Sequence, residues 1–180
     1  MEIRYVEAIE PKLPTPFVYV LITLSAICIL YVVTTYAFTM RARTAAFTDD
    51  FMKQFDDEHS VAFEKQPKAP QYGYPDTGNG YFGMKLPYAA WYKMNNGQRC
   101  QINFLEQLTF ALVSGFLAGI SYPIWTASLL TGYFFARLVF AIGYTKGGPN
   151  ARIAGALVMD LCLLGQIILS CMSCYKLFTK

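Results

Sequence analysis

Between Glu106 and Arg137 the chain carries no charged side chain. A helix needs roughly 20 apolar residues to cross a bilayer. The tract and its flanks, Arg99 to Arg152, therefore hold two crossings, with the natural turn at Pro123 after Ser121 and Tyr122. A second uncharged tract, Phe17 to Met40, supplies another crossing, closed by Arg41 and Arg43 as headgroup-level cations. Residues 153–175 supply the fourth, with Asp160 inside it. The pattern predicts an all-α integral membrane protein: a four-transmembrane-helix bundle with helices at about 17–40, 97–121, 123–144 and 153–175. One domain then covers residues 1–180, and a long polar loop at 44–96 joins helices 1 and 2.

Composition agrees. Of the 180 residues, 54% are hydrophobic and 15% charged, against about 25% charged in ordinary soluble domains. Six of the twelve acids lie between Asp49 and Glu64, in the polar loop. The net charge of +3 is too small and scattered to imply nucleic acid. Met1 to Lys12 is polar and reads neither as a secretory signal nor as an Arg-rich transit peptide. Cys28, Cys162, Cys171 and Cys174 sit in apolar tracts and read as small packing residues rather than a disulfide framework. No repeat of 20–50 residues is visible.

In the loop, Phe47, Phe51 and Phe55 recur every four residues and predict a surface helix within Thr44–Lys65. Pro/Gly/Tyr-rich coil follows. A stretch this long without structure is uncommon, so docking on the bundle or on a partner is expected. His59, the only histidine, has acids beside it but reads as part of a solvated face, and no metal site is expected. Gly115 and Gly119 form a small-xxx-small pair that lets another helix approach. Four crossings place both termini on one side. Arg41, Arg43, Lys93, Arg99, Lys146 and Arg152 on the other side, against Arg4, Lys12, Lys176 and Lys180, orient the loop to the cytosol.

Charges at membrane depth are costly and are functional candidates. Arg99, Asn103 and Glu106, spaced four and three, share one helix face. Arg137 and Tyr144, seven apart, share a face of the next helix, and Arg152 opens the fourth. Guanidiniums grip carboxylates, Glu106 can take an ammonium, and a guanidinium beside a thiol favours the thiolate. The set suits a small zwitterion with several carboxylates and a thiol; glutathione has these parts. The competing reading is that Arg99, Glu106, Arg137 and Asp160 neutralise one another between helices.

These residues resemble the pattern of the MAPEG family, the membrane-associated proteins of eicosanoid and glutathione metabolism, and within it the type-three microsomal glutathione transferases. Tyr74-Pro75 and Asn79-Gly80 precede Arg99-Cys-Gln-Ile-Asn103-Phe-Leu-Glu106. Then come Arg137-Leu-Val-Phe140-Ala-Ile-Gly143-Tyr144, Gly147-Gly148-Pro149-Asn150-Ala151-Arg152 and Gly155. The resemblance implies a homotrimer binding glutathione between neighbours. Arg99, Asn103, Glu106 and Tyr144 would hold it, Arg137 would support the pocket, and Arg41 or Arg43 would match the arginine ending the first helix. Arg152 would face the thiol as the catalytic residue. The implied activity is glutathione transferase or peroxidase, acting on lipophilic electrophiles or lipid hydroperoxides in the endoplasmic reticulum or, alternatively, a mitochondrial membrane. Phe140 in place of a tyrosine, Gln107, Cys100-Gln101-Ile102 and the longer loop depart from the pattern. They motivate the alternative of a non-catalytic accessory subunit of a larger membrane complex, such as a respiratory complex. A transporter has little support without inverted repeats.

Overall fold

The computed structural model describes residues 13–179; the polar arm Met1–Lys12 and the last residue, Lys180, fall outside them. Among the described residues there is no strand. Four helices are long and apolar enough to cross a membrane: α1 (Phe17–Ala46), α2 (Tyr88–Ser121), α3 (Pro123–Gly147) and α4 (Ile153–Phe178). They pack as an antiparallel bundle. At one end Phe17 meets Phe116 edge-on at 5.5 Å, and the Ser173 hydroxyl donates to that of Ser121 at 3.0 Å. The start of α1, the α2–α3 turn and the end of α4 therefore share one side, as four crossings require. The expected small-xxx-small approach is to α1: a Cβ on Gly119 would stand 2.9 Å from the Phe17 ring, and one on Gly115 would stand 3.2 Å from Leu24.

The helices extend beyond the expected bounds. The first runs six residues past Met40 because Arg41-Ala-Arg-Thr-Ala-Ala favours helix. Its inward residues step by three and four through Phe17, Val20, Leu24, Ile27, Leu30 and Thr34. The next inward residue is Thr39, five on, across a π-helical turn (Thr35–Met40), followed by Arg43 and Ala46. The second helix begins at Tyr88, after Pro87, rather than near residue 97. Asn95-Asn96-Gly97 looks like a turn, but its role is packing. The Asn95 amide donates to the carbonyls of Gly78 and Trp91, both at 3.1 Å. Gly97 admits α1, whose Ala42 Cβ would lie 2.8 Å from any Cβ there, and its carbonyl accepts from the Thr39 hydroxyl at 2.9 Å.

The polar loop thus shrinks to about 47–87, and it is not a surface helix on coil. The chain breaks at Phe47, and Thr48 caps a new turn by accepting from the Phe51 N–H at 3.2 Å. Two short helices follow, Asp49–Met52 and Asp56–Ala62. The three phenylalanines still meet, but they face inward: Phe47 and Phe55 are buried with Met52, Leu86 and Met94 in a second apolar core that caps the bundle. His59 lies against Phe63, ring to ring at 4.8 Å.

Two groups hold the cap. Arg43, expected at the headgroups, is buried; its guanidinium donates to the carbonyls of Tyr72 and Asp76 and lies 4.3 Å from the Tyr74 ring. The Asp76 carboxylate accepts from the N–H groups of Gly78 (2.6 Å), Gly80 (2.8 Å) and Gly83 (2.6 Å). Burial pushes this carboxyl up, but the converging backbone donors outweigh it and hold the group below its ordinary value of 3.8. A depressed folded-state value contributes stability that is complete above pH 3.8 and lost as pH falls through the folded value. Asp76→Asn should therefore cost about 3 kcal/mol and expose residues 63–87 to proteases at neutral pH. The native cap should keep its protease resistance until the solution is more acidic than pH 3.8, which limited proteolysis across a pH series will check.

Candidate functional site

Three helices meet around Arg137. Its side chain, on α3, is fully buried, with its guanidinium carbon 4.3 Å from the Phe104 ring on α2 and 4.5 Å from the Phe140 ring one turn further along α3. One terminal nitrogen donates to the Cys100 carbonyl at 3.2 Å, and the other lies 3.0 Å from the Met159 sulfur on α4. A guanidinium between two aromatic faces is stabilised by their quadrupoles, more so when dry. Gly155 makes this junction possible: a Cβ there would lie 2.5 Å from the Phe140 backbone nitrogen. The Arg137 Nε, the Tyr133 hydroxyl and both polar atoms of Gln166 are buried without partners among the described residues.

Tyr144 and Arg152 extend this layer toward the cap. Arg152 lies 5.3 Å from the Tyr144 ring and 5.8 Å from the Phe140 ring, and its Nε donates to the Pro149 carbonyl at 3.2 Å. Its terminal nitrogens make no hydrogen bond among the described residues.

Arg99, Asn103 and Glu106 occupy a different face of α2. Arg99 and Glu106 are exposed on the outside of the bundle. The helix from Glu106 to Ser121 is about 22 Å long, and a hydrocarbon layer is about 30 Å thick, so Glu106 stands at membrane depth. The Asn103 amide donates to the Arg99 carbonyl at 2.7 Å, which leaves its oxygen free to accept. Beside them Gln107 donates to the Asp160 carboxylate at 2.9 Å. The only ion pair among the described residues is Lys53–Asp50, on the cap. Mutual neutralisation of Arg99, Glu106, Arg137 and Asp160 within one chain does not occur.

Arg41 is apart from both groups. It is exposed toward a groove above the bundle that none of Arg99, Asn103, Glu106 or Arg152 lines. No group of three or more His, Cys, Asp or Glu side chains capable of holding a metal occurs among the described residues.

The sequence model of the MAPEG family matches residues 18–172, nearly all of the bundle together with the cap. The chain belongs to the MAPEG family. No curated protein matches it. Within this MAPEG bundle, spacing placed Arg99, Asn103 and Glu106 on one face of α2 and Arg137 with Tyr144 on one face of α3, but the two sets do not converge within one subunit, because Arg99 and Glu106 face outward while Arg137 is buried. Reasoning from spacing missed Phe104 and Met159 as the walls around Arg137, because an aromatic and a thioether in apolar tracts carry no mark of that role. It also passed over Gln166, although an amide within an apolar helix is a signal the sequence carries.

Exposure separates the two sets energetically. Arg137→Ala removes a fully packed side chain and should cost the subunit about 3 kcal/mol. Arg99→Gln and Glu106→Gln remove outward groups that have no ion-pair partner among the described residues and should lower its stability by no more than about 0.5 kcal/mol. Thermal unfolding of the detergent-solubilised variants measures both.

Proposed function

We propose that this protein is a glutathione transferase or peroxidase of the membrane, of the type-three microsomal kind, with its site completed by a neighbouring copy. One observation carries the reading. Glu106 stands at membrane depth on the outside of the bundle, Arg99 lies two turns nearer the headgroups on the same side, and neither has a charge partner among the described residues; an unpartnered charge in the membrane is costly unless something covers it. A neighbouring subunit would exclude lipid, and a bound zwitterion would supply the missing charges. Family membership supports the same assembly, a trimer.

The donor set fits glutathione. Arg99 offers a planar fork for a carboxylate, the Asn103 oxygen and Glu106 offer acceptors for an ammonium or an amide, and the Tyr144 phenol lies beside Arg152. Arg137, enclosed by rings, acts by fixing α2, α3 and α4 relative to one another rather than by touching a ligand. Glutathione brings a thiol that becomes a nucleophile on losing its proton. Arg152, whose terminal nitrogens remain available, would hold the resulting negative charge. Phe140 takes the place of a hydroxyl near the thiol, so Arg152 would bear that task without it.

A second reading is favoured by the ordered cap, whose outer surface exposes Val61, Phe63, Met84 and Tyr88. In it the bundle is an accessory subunit of a larger membrane assembly, including one in a mitochondrial membrane, rather than an enzyme of the endoplasmic reticulum.

Titration calorimetry of the purified protein with glutathione distinguishes the two. The enzyme reading expects binding by a homotrimer, weakened about thirty-fold or more in Arg99→Ala. It also expects the ultraviolet thiolate band of bound glutathione to disappear in Arg152→Ala, while binding is largely kept. A stoichiometric complex with unrelated chains that does not bind glutathione selects the second reading.

A further inference from the structure

We infer that the groove above the bundle is a binding site for a phosphate ester, the headgroup of an anionic phospholipid, separate from the glutathione site proposed above. The groove, about 790 Å³, opens between the cap-side ends of α1, α2 and α3. Arg41, Lys93 and Lys146, one cation from each helix, line it. All three are exposed, and none forms an ion pair among the described residues. No Asp or Glu lines the groove, and most of the other lining residues are alanine or glycine, so the walls leave room rather than fill it.

Three like charges drawn to one concavity repel one another. Lys146 in the last turn of α3 suits the helix dipole, whereas Lys93, in the second turn of α2, has neither a dipole nor an acid to offset it. An anion with several acceptor oxygens relieves the repulsion, and Tyr92, Asn96 and Thr145 add neutral polar groups at the same surface. The missing carboxylate sets the class. Glutathione, or a lipid carrying choline or ethanolamine, would bring an ammonium with nothing to receive it, whereas a phosphate without an ammonium matches the lining. Height sets the source. The helix from Phe17 to Arg41 is about 36 Å long, slightly more than the hydrocarbon thickness, so the groove lies at the headgroups. Basic pockets between membrane helices on that side are suited to anionic headgroups.

Gly148 shapes one wall. Its φ of 78° is left-handed, and a Cβ there would lie 2.8 Å from the Tyr92 hydroxyl, so a glycine lets the end of α3 close against Tyr92.

The test titrates the intact detergent-solubilised protein with phosphatidic acid or phosphatidylcholine in mixed micelles, or with soluble glycerol 3-phosphate, and reads thermal protection. The Lys93→Gln/Lys146→Gln double variant is compared with Lys65→Gln/Lys68→Gln, which removes the same charge from the exposed loop. Phosphatidic acid should protect the native protein and phosphatidylcholine should not. Its apparent affinity should fall roughly five-fold per groove lysine, the effect of one surface cation, and stay unchanged in the loop variant. Equal protection by glycerol 3-phosphate reassigns the site to a soluble phosphoester. Equal losses in the two double variants, equal protection by phosphatidylcholine, or no protection by either phosphate overturns the inference.

Discussion

The guanidinium buried between the helices, with no carboxylate beside it, governs the arrangement of this bundle. Arg137 reaches from α3 to the backbone of α2 and the sulfur of α4, and two phenyl rings take the place of a counter-ion. Such a cation is tolerable only if the rings stay in contact and water stays out. The three helices must therefore keep a fixed separation at that level, and Gly155 is small enough to allow it. Phe140 then has a structural reason to be apolar, since one face of its ring belongs to the Arg137 clamp while Arg152 lies nearby.

The remaining polar groups sort by direction. Inward, around Arg137, the atoms left without a partner among the described residues are those of Tyr133, Gln166 and the Arg137 Nε; elsewhere Thr35, His59, Trp91 and Gln107 each bury one more. Those pointing outward on α2 and α4, Arg99, Glu106 and Asp160, have at most a neutral amide for company. In a membrane this reverses the usual economy of a soluble protein, because lipid leaves an outward charge without the solvation that water would give. The bundle is complete as a fold yet unfinished as a surface.

Much of this was legible in the sequence, for reasons that differ by element. Uncharged tracts announce membrane helices whatever surrounds them, so the four crossings, their order and the shared side of the termini followed directly. Boundaries were less legible. Asn95-Asn96-Gly97 carries the chemistry of a turn and is held in helix only by contacts with Gly78 and α1, which local sequence does not reveal. The phenylalanine spacing in the loop was recognised, but its partners Leu86 and Met94 come from distant segments, so a lipid-facing stripe and a buried one looked alike. In the site, spacing grouped Arg99 with Glu106 correctly because one helix carries both. It did not separate Arg41 from Arg43, since the helix between the core and these residues departs from its regular period.

That departure has a consequence of its own. On an uninterrupted α-helix the inward face after Thr34 would continue near Phe38 and Arg41, and Arg43 would turn away. The π-helical turn adds one residue to the cycle, so Thr39 and Arg43 turn inward while Arg41 remains outside. Two like cations, two positions apart, are thereby given unlike occupations: one is locked into the cap as a structural strut, and the other stays accessible. Removing one residue from this turn would regularise the helix and leave both cations on their present faces, because Thr39 and Arg43 would then follow Thr34 by four and eight residues.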